Sequence, residues 1–425
     1  MSDKSKISTE SYKGVRDFYP EDLFIQNYIF EIWKKTVESF GYEEYNASIL
    51  ESSELYKAKS GEEIVNEQTY TFVDRGDREV TLRPEMTPTV ARMVAGREQE
   101  LTFPLRWYSI PNLFRYEKPQ RGRLREHWQL NVDLFGVDSN LADIEIVNIA
   151  YKIMLGLGAK DEDFIIRIND RRIIKNLYEK FGLNEENSYK ASKIIDKKDK
   201  ISKGAFEEAF AEVVGEKSPE FIELLESHEK LLDFLGESEI TKEMIETIEK
   251  LLSLGVKNVT FDPTLVRGFD YYTGMVFEVF DTDTENNRSV FGGGRYDDLM
   301  SIFGAKKVPS VGFGAGDVTA KDFLEKHNLL PVYKSQTKVY ICTVEEGLKD
   351  HALDLAQKLR EAGVSTAVDL TNKKLGDQIK VASKQKIPFV ICIGEDEIKT
   401  GTYTLKNMET REEKKVKLED LTRSL

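Results

Sequence analysis

The apolar positions change period along the chain, and each change marks an element. Residues 21–40 place Ile25, Ile29, Ile32, Val37 and Phe40 at helical spacing with Trp33 alongside, and Gly41 stops the run. Period two follows. Strand-like pieces at 49–50 and 70–73, a turn at 75–78 and a return at 79–83 predict an antiparallel hairpin. A helix is expected over 87–95, strands over 105–110 and 113–117, and an alternating strand over 128–135. Antiparallel strands interleaved with helices indicate an α+β domain on a mainly antiparallel sheet, not a doubly wound one.

The character shifts at about residue 165. Lys, Glu, Leu and Ile recur at helical spacing up to about 250, as in Phe221, Leu224, Leu225, Leu231 and Leu232. This predicts a helical insertion, whose role as a lid or an RNA-facing clamp stays open. Residues 260–325 return to the earlier style, so the insertion interrupts one domain. A polar linker at 333–336 precedes a β-α-β-α-β alternation, which predicts an α/β domain with a mostly parallel sheet. The expected organisation is a first domain in two parts, 1–164 and 251–332, the insertion at 165–250, and a terminal domain at 337–425.

Composition narrows the function classes. The net charge of −14 disfavours unselective nucleic-acid binding but leaves room for a local basic face. The terminal segment has nearly equal numbers of acidic and basic residues, so it repels a polyanion least. Cys342 and Cys392 are the only cysteines, which argues against a disulfide framework or a zinc site and fits a reducing cytoplasm. The first six residues form no apolar leader, and no run reaches membrane-spanning length.

Six stretches carry candidate chemistry. Residues 265–278 set Arg267 beside a glycine, then Tyr271 and Tyr272, then an apolar strand. An arginine is a poor base but suits an anion or charge arising in a transition state. Alone, the stretch reads equally as a turn with a surface ion pair. Residues 114–129 end a strand at Arg115 and Glu117, which alternation puts on one face. A Pro- and Gly-bearing loop then presents Arg121, Arg123 and Arg125. Clustered arginines suit a triphosphate, and a charged hairpin tip is the plain alternative. Gln129, Asn131 and Asp133 share a face that should be buried, implying a polar ligand or a structural network. Glu85 and Thr87 stand at a strand-to-helix transition, where a helix N-terminus is the simpler explanation. Gly292, Gly293 and Gly294, before Arg295 and Tyr296, allow close backbone approach. Gly312, Gly314 and Gly316 form a GxGxG, weak evidence for phosphate binding by itself.

Taken together and in this order, these stretches resemble the histidyl-tRNA synthetase family of class II aminoacyl-tRNA synthetases. Residues 265–278 and 291–297 resemble its two signature motifs. Residues 41–93, 114–136 and 309–324 resemble motifs 1, 2 and 3, and 337–425 its anticodon-binding domain. The resemblance implies an α+β catalytic domain and a two-step reaction. L-Histidine and ATP give histidyl-adenylate, and the histidyl group then passes to the 3′ end of tRNA-His. Under it, Arg115 contacts the α-phosphate, Glu117 the adenine amino group and Arg123 the γ-phosphate, while Arg267 meets charge building on the α-phosphate. Glu85 and Thr87 hold the histidine ammonium. Gln129, Asp133, Tyr271, Tyr272 and Tyr296 line the amino-acid pocket, and Gln120 approaches the tRNA acceptor end. Gly314 and Gly316 border ATP. Mg2+ accompanies ATP with no metal held by protein ligands alone, and a cytoplasmic homodimer is expected.

The chain departs from the family pattern at four points. Ser48 replaces a motif 1 proline, Asp133 replaces a glutamate, and His127 stands where an aromatic stacks on adenine. Thr319 occupies the position of a motif 3 arginine, and Lys321 or Arg125 is expected to replace its charge. The competing reading is a non-catalytic paralogue such as a regulatory subunit of ATP phosphoribosyltransferase. Such a paralogue typically lacks the terminal domain and degrades the Arg267 motif, and both are intact in this sequence.

Overall fold

The computed structural model describes residues 7–57, 68–198, 201–236, 238–266, 271–286 and 288–425. The chain forms two compact units, Met1–Leu330 and Pro331–Leu425. The first opens with helix α1 (Pro20–Ser39). A proline in its first turn presets φ, Glu21 and Asp22 complement the helix dipole, and Ile29, Trp33 and Val37 are buried.

The strands of this unit are β1 (Glu43–Glu44), β2 (Leu50–Ser52), β3 (Tyr70–Val73), β4 (Glu79–Leu82), β5 (Leu105–Ser109), β6 (Asn112–Phe114), β7 (Glu126–Phe135), β8 (Phe164–Asp170), β9 (Val259–Phe261), β10 (Met275–Asp281), β11 (Ser289–Arg295) and β12 (Ser310–Gly316). The large mixed sheet runs β1-β5-β7-β12-β11-β10-β8-β9, with β6 beside β7. Only β1–β5 and β8–β9 pair in parallel there. The expected hairpin is β3–β4, joined by β2 in a small separate sheet.

Register gives the large sheet two unlike faces. Asp133, Asn131 and Gln129 of β7 lie opposite Gly312, Gly314 and Gly316 of β12, and Gly312 and Gly314 lie opposite Gly294 and Gly292 of β11. Residues directly opposite share a face, so five glycines and three polar side chains sit on one side. On the other, Leu130, Val132, Leu134, Val311, Phe313 and Ala315 join Trp33 and Ile149 in the main core. Gly293 belongs to that apolar face. A Cβ there would sit 2.1 Å from Gly312 O, so it serves packing and not ligand approach.

Six described helices follow β8, from Arg171–Lys180 to Glu239–Ser253. Asn184, Ser202, Ser227 and Ser238 cap four of them through their side chains. Residues 165–170, expected in the insertion, belong instead to β8, paired with β10 from Phe164↔Asp281 to Asp170↔Met275. Phe164, Ile166 and Ile168 carry a strand period that the following helical pattern obscured.

The second unit contains β13 (Val339–Thr343), β14 (Thr366–Val368), β15 (Phe389–Ile393), β16 (Thr402–Asn407) and β17 (Glu413–Lys417), ordered β14-β13-β15-β16-β17. Two of its pairings are parallel and two antiparallel, so the mostly parallel expectation is corrected to a mixed sheet. β17 is Glu-Lys-Lys-Val-Lys with only Val416 buried, a charged edge whose pattern does not announce a strand. Among the described residues, no helix is long and apolar enough to cross a membrane.

Candidate active site

The glycine face is walled at one end by a buried polar cluster. Tyr296 donates its hydroxyl to Asp133 Oδ1 at 2.5 Å. Asp133 Oδ2 is buried with no hydrogen-bond partner among the described residues. Burial pushes the Asp133 carboxyl up to about 7, against the opposing pull of the Tyr296 hydroxyl. Tyr271 donates to Glu85 Oε2 at 3.0 Å, and its ring lies 5.1 Å from that of Tyr272 and 6.0 Å from that of Tyr296. Burial first, and then Glu85, hold the Tyr271 phenol far above its usual range, and Thr87 faces the same hydroxyl. Tyr272 reaches over Gly294 and Gln129 over Gly314. A Cβ on either glycine would come within 3.2 Å and 2.7 Å of them respectively. The structure therefore brings Glu85, Thr87, Asp133, Tyr271, Tyr272 and Tyr296 to one end of one face, with Gln129 on the same face toward its other end.

Glu85 and Thr87 do more than start a helix. Thr87 is the first residue of Thr87–Gly96, and the preceding Met86 makes no side-chain cap. Glu85 accepts from Tyr271, 186 residues away.

The other end opens into a cavity of about 320 Å³ lined by Arg115, Glu117, Arg123, His127, Gln129, Gly314, Gly316 and Thr319, with Gln68 also on its wall. Arg115 is anchored by its Nε to Pro84 O at 2.9 Å, and Arg123 lies 3.5 Å from Glu117. His127 is driven down to about 3, by burial and then by the positive charges of Arg115 and Arg16. Its ring is therefore neutral at physiological pH and able to stack on a flat base. Arg115 and Glu117 meet here, though not as neighbours on a strand. β6 stops at Phe114, and a tight turn with Glu117 N donating to Arg115 O brings the two together. Beyond that turn the run is loop, closed at its base by Arg115 N donating to Arg125 O.

The two residues expected to supply the charge missing at Thr319 are placed elsewhere. Arg125 stacks 4.1 Å from the Tyr116 ring and donates to Tyr12 and to Glu117 O. Lys321 pairs with Glu325 at 3.6 Å and lines a separate cavity with Arg16 and Asp317. Gln120 stands at the loop tip, where its side chain accepts from Arg288 at 3.5 Å. Arg267 lies outside the described residues. Arg288 and Arg171 drew no notice in the sequence, since an arginine in a polar turn or opening a helix has no distinguishing pattern. Arg171 donates to Tyr272 O at 3.2 Å and braces the pocket wall. Among the described residues, no group of three or more His, Cys, Asp or Glu side chains could hold a metal ion.

Comparisons with known proteins come to the same place. The family model described as histidyl-tRNA synthetase matches residues 14–318, and that described as anticodon binding domain matches 338–425. A protein named histidine–tRNA ligase from Leptospira biflexa is 45% identical over 415 residues, 96% of this chain and 95% of its own. One of the same name from Thermoplasma volcanium is 36% identical over 423 residues, 98% of each. The crystal structure of histidyl-tRNA synthetase from Nostoc sp. superposes with a TM-score of 0.84 at 25% identity, covering 99% of this chain and 100% of that one.

Asp133 gives the site a pH signature. Its carboxyl loses a proton near 3.8 when unfolded and near 7 when folded. Between those values only the folded state holds the proton, so its contribution to stability falls as pH rises and is lost above about 7. Asp133→Asn removes this titration. Its stability relative to the parent is expected to improve by at least about 1 kcal/mol from pH 4 to pH 8. Urea unfolding at both pH values checks this, and a pH-independent difference contradicts it.

Proposed function

The chain belongs to the histidyl-tRNA synthetase family, and from that premise we propose how its residues divide the family's reaction. The protein is an aminoacyl-tRNA ligase. It activates L-histidine with ATP to histidyl-adenylate and transfers the histidyl group to the 3′ end of tRNA-His. The observation that carries the residue assignment is the glycine face, with a buried acceptor at one end and an arginine-lined cavity at the other.

Histidine lies over Gly294 and Gly312 with its imidazole toward Asp133. The free Oδ2 accepts a ring N–H, and the tyrosines at 271, 272 and 296 enclose the ring. An N–H donor favours the ionised carboxylate, so occupancy pulls the Asp133 pKa down from its raised value. A side chain without a donor leaves that oxygen buried and unpaired, which is how such a pocket rejects similar shapes. Glu85 and Thr87 take the ammonium. ATP enters the open cavity with its adenine beside His127 and Glu117, and Gly314 and Gly316 let it lie close to the sheet. Mg2+ arrives on the phosphate oxygens of ATP.

In the first step a histidine carboxylate oxygen bonds to the α-phosphorus. The bond from that phosphorus to the bridging oxygen breaks, and pyrophosphate leaves with the electron pair. Charge on the α-phosphate meets Arg115 and Arg267, permanent cations that need no proton transfer. In the second step a hydroxyl of the terminal tRNA ribose attacks the histidyl carbonyl and AMP departs. Gln120 faces the acceptor end, and residues 338–425 receive the anticodon. A cytoplasmic homodimer completes the proposal. Leu50 and Phe72, on one face of the small sheet, are 43% and 47% exposed, an apolar surface suited to a second copy.

Arg115→Gln and Arg267→Gln are each expected to slow histidine-dependent ATP–pyrophosphate exchange by roughly a hundredfold or more, with thermal unfolding unchanged. A rate within about twofold of the parent removes that arginine from the step. Exchange supported equally by other amino acids contradicts the function itself. Sedimentation equilibrium should return twice the chain mass of 48.8 kDa, and a monomer contradicts the dimer.

A further inference from the structure

A second cavity of about 240 Å³ continues the nucleotide pocket, and the two share Gly122, Val290 and Thr319 as walls. The partition between them is thin. Gly122 has no side chain and holds φ at +75°, and a Cβ on it would face the Thr319 methyl at 3.7 Å. The Thr319 hydroxyl is turned away, donating to Val290 O at 2.6 Å and Gly316 O at 3.1 Å. The Asp322 carboxyl, raised above its usual range by burial, faces the same point at 3.8 Å, and a chain of phosphates passing from one cavity to the next would run beside it.

The charges fall the same way. Among the described residues, Arg115 and Arg123 are the cations lining the nucleotide pocket, and Arg123 is shared with Glu117. With Arg115 and Arg267 assigned above to the α-phosphate, Arg123 is the described cation left in this pocket for the phosphates beyond it, and Glu117 already draws on its charge. The second cavity adds Arg121 and Arg288. One of its two acids is in an ion pair. Glu285 pairs with Lys326 at 2.6 Å, and Asp322, pushed up by burial, feels Arg121. Arg288 has no carboxylate partner among the described residues. It donates one nitrogen to Arg121 O at 2.9 Å and another toward Gln120 Oε1 at 3.5 Å. A guanidinium has five N–H donors in a fixed fork, so donors remain for phosphate oxygens.

We propose that Arg288 binds the terminal phosphate of ATP, and then the departing pyrophosphate, in this second cavity. The assignment rests on the histidine-activating reading above. Its backbone contact also holds the 115–125 loop against the start of β11, so the loop and the polyphosphate share one anchor.

The test measures KM for ATP in histidine-dependent exchange, and the binding of AMP and of inorganic pyrophosphate by calorimetry, for the parent, Arg288→Gln and Arg288→Lys. Arg288→Gln is expected to raise the ATP KM about tenfold or more and to weaken pyrophosphate similarly. AMP affinity should stay within about twofold, and Arg288→Lys should recover part of the loss as a point charge without the fork. An unchanged ATP KM overturns the assignment. So does an equal loss for AMP and ATP, which would make Arg288 only a brace for the loop that carries Glu117. A parent protein without histidine-dependent exchange contradicts the underlying reading and this assignment together.

Discussion

A sheet can carry a substrate against its own backbone only where the side chains of that face are missing. Gly292, Gly294, Gly312, Gly314 and Gly316 clear three neighbouring rows of this one. The clearance is not optional. A Cβ at Gly312 would lie 2.4 Å from Val132 O and 2.5 Å from Asp133 Oδ1, so any larger residue displaces the carboxylate as well as the ligand. Glycines weaken strands. The opposite face offsets this by burying Leu130, Val132, Leu134, Val311 and Phe313 against α1 and the Asn140–Gly156 helix. One sheet thus separates its two duties by side-chain alternation.

Around the cleared floor, burial sorts the chemistry. At the closed end, acids and phenols are held in their neutral or hydrogen-bonded forms, where selection by donor and acceptor is sharp. At the open end, solvent-accessible arginines keep their charge and meet phosphates. His127 stands on the wall of the open end, its proton driven off by burial and by Arg115. An amino acid that must be recognised by shape and a nucleotide that must be held by charge therefore fit the same floor from opposite ends.

Much of this was legible because it is local. Alternation alone put Gln129, Asn131 and Asp133 on a face, and the glycine stretches at 292–294 and 312–316 marked close backbone approach. Alternation could not say that Gly293 faces the core, because that depends on its register with Phe313. Alternation puts Arg115 and Glu117 on one strand face, whereas a turn and not a strand brings them together. Contacts between distant segments were beyond pattern reading. Tyr271 and Glu85 are 186 residues apart, and nothing near either one announces the other. Arg288 was missed because an exposed arginine in a polar turn looks like solvation. β17 was missed because its charges hide its period.

The most direct measurement concerns the unpartnered oxygen of Asp133. Infrared difference spectra at pH 6, taken on adding histidine, report the protonation of buried carboxyls. The account predicts loss of a protonated-carboxyl band as Asp133 ionises against the ring N–H, and no such loss in Asp133→Asn. An unchanged carboxyl region in the parent, with histidine bound, would contradict it.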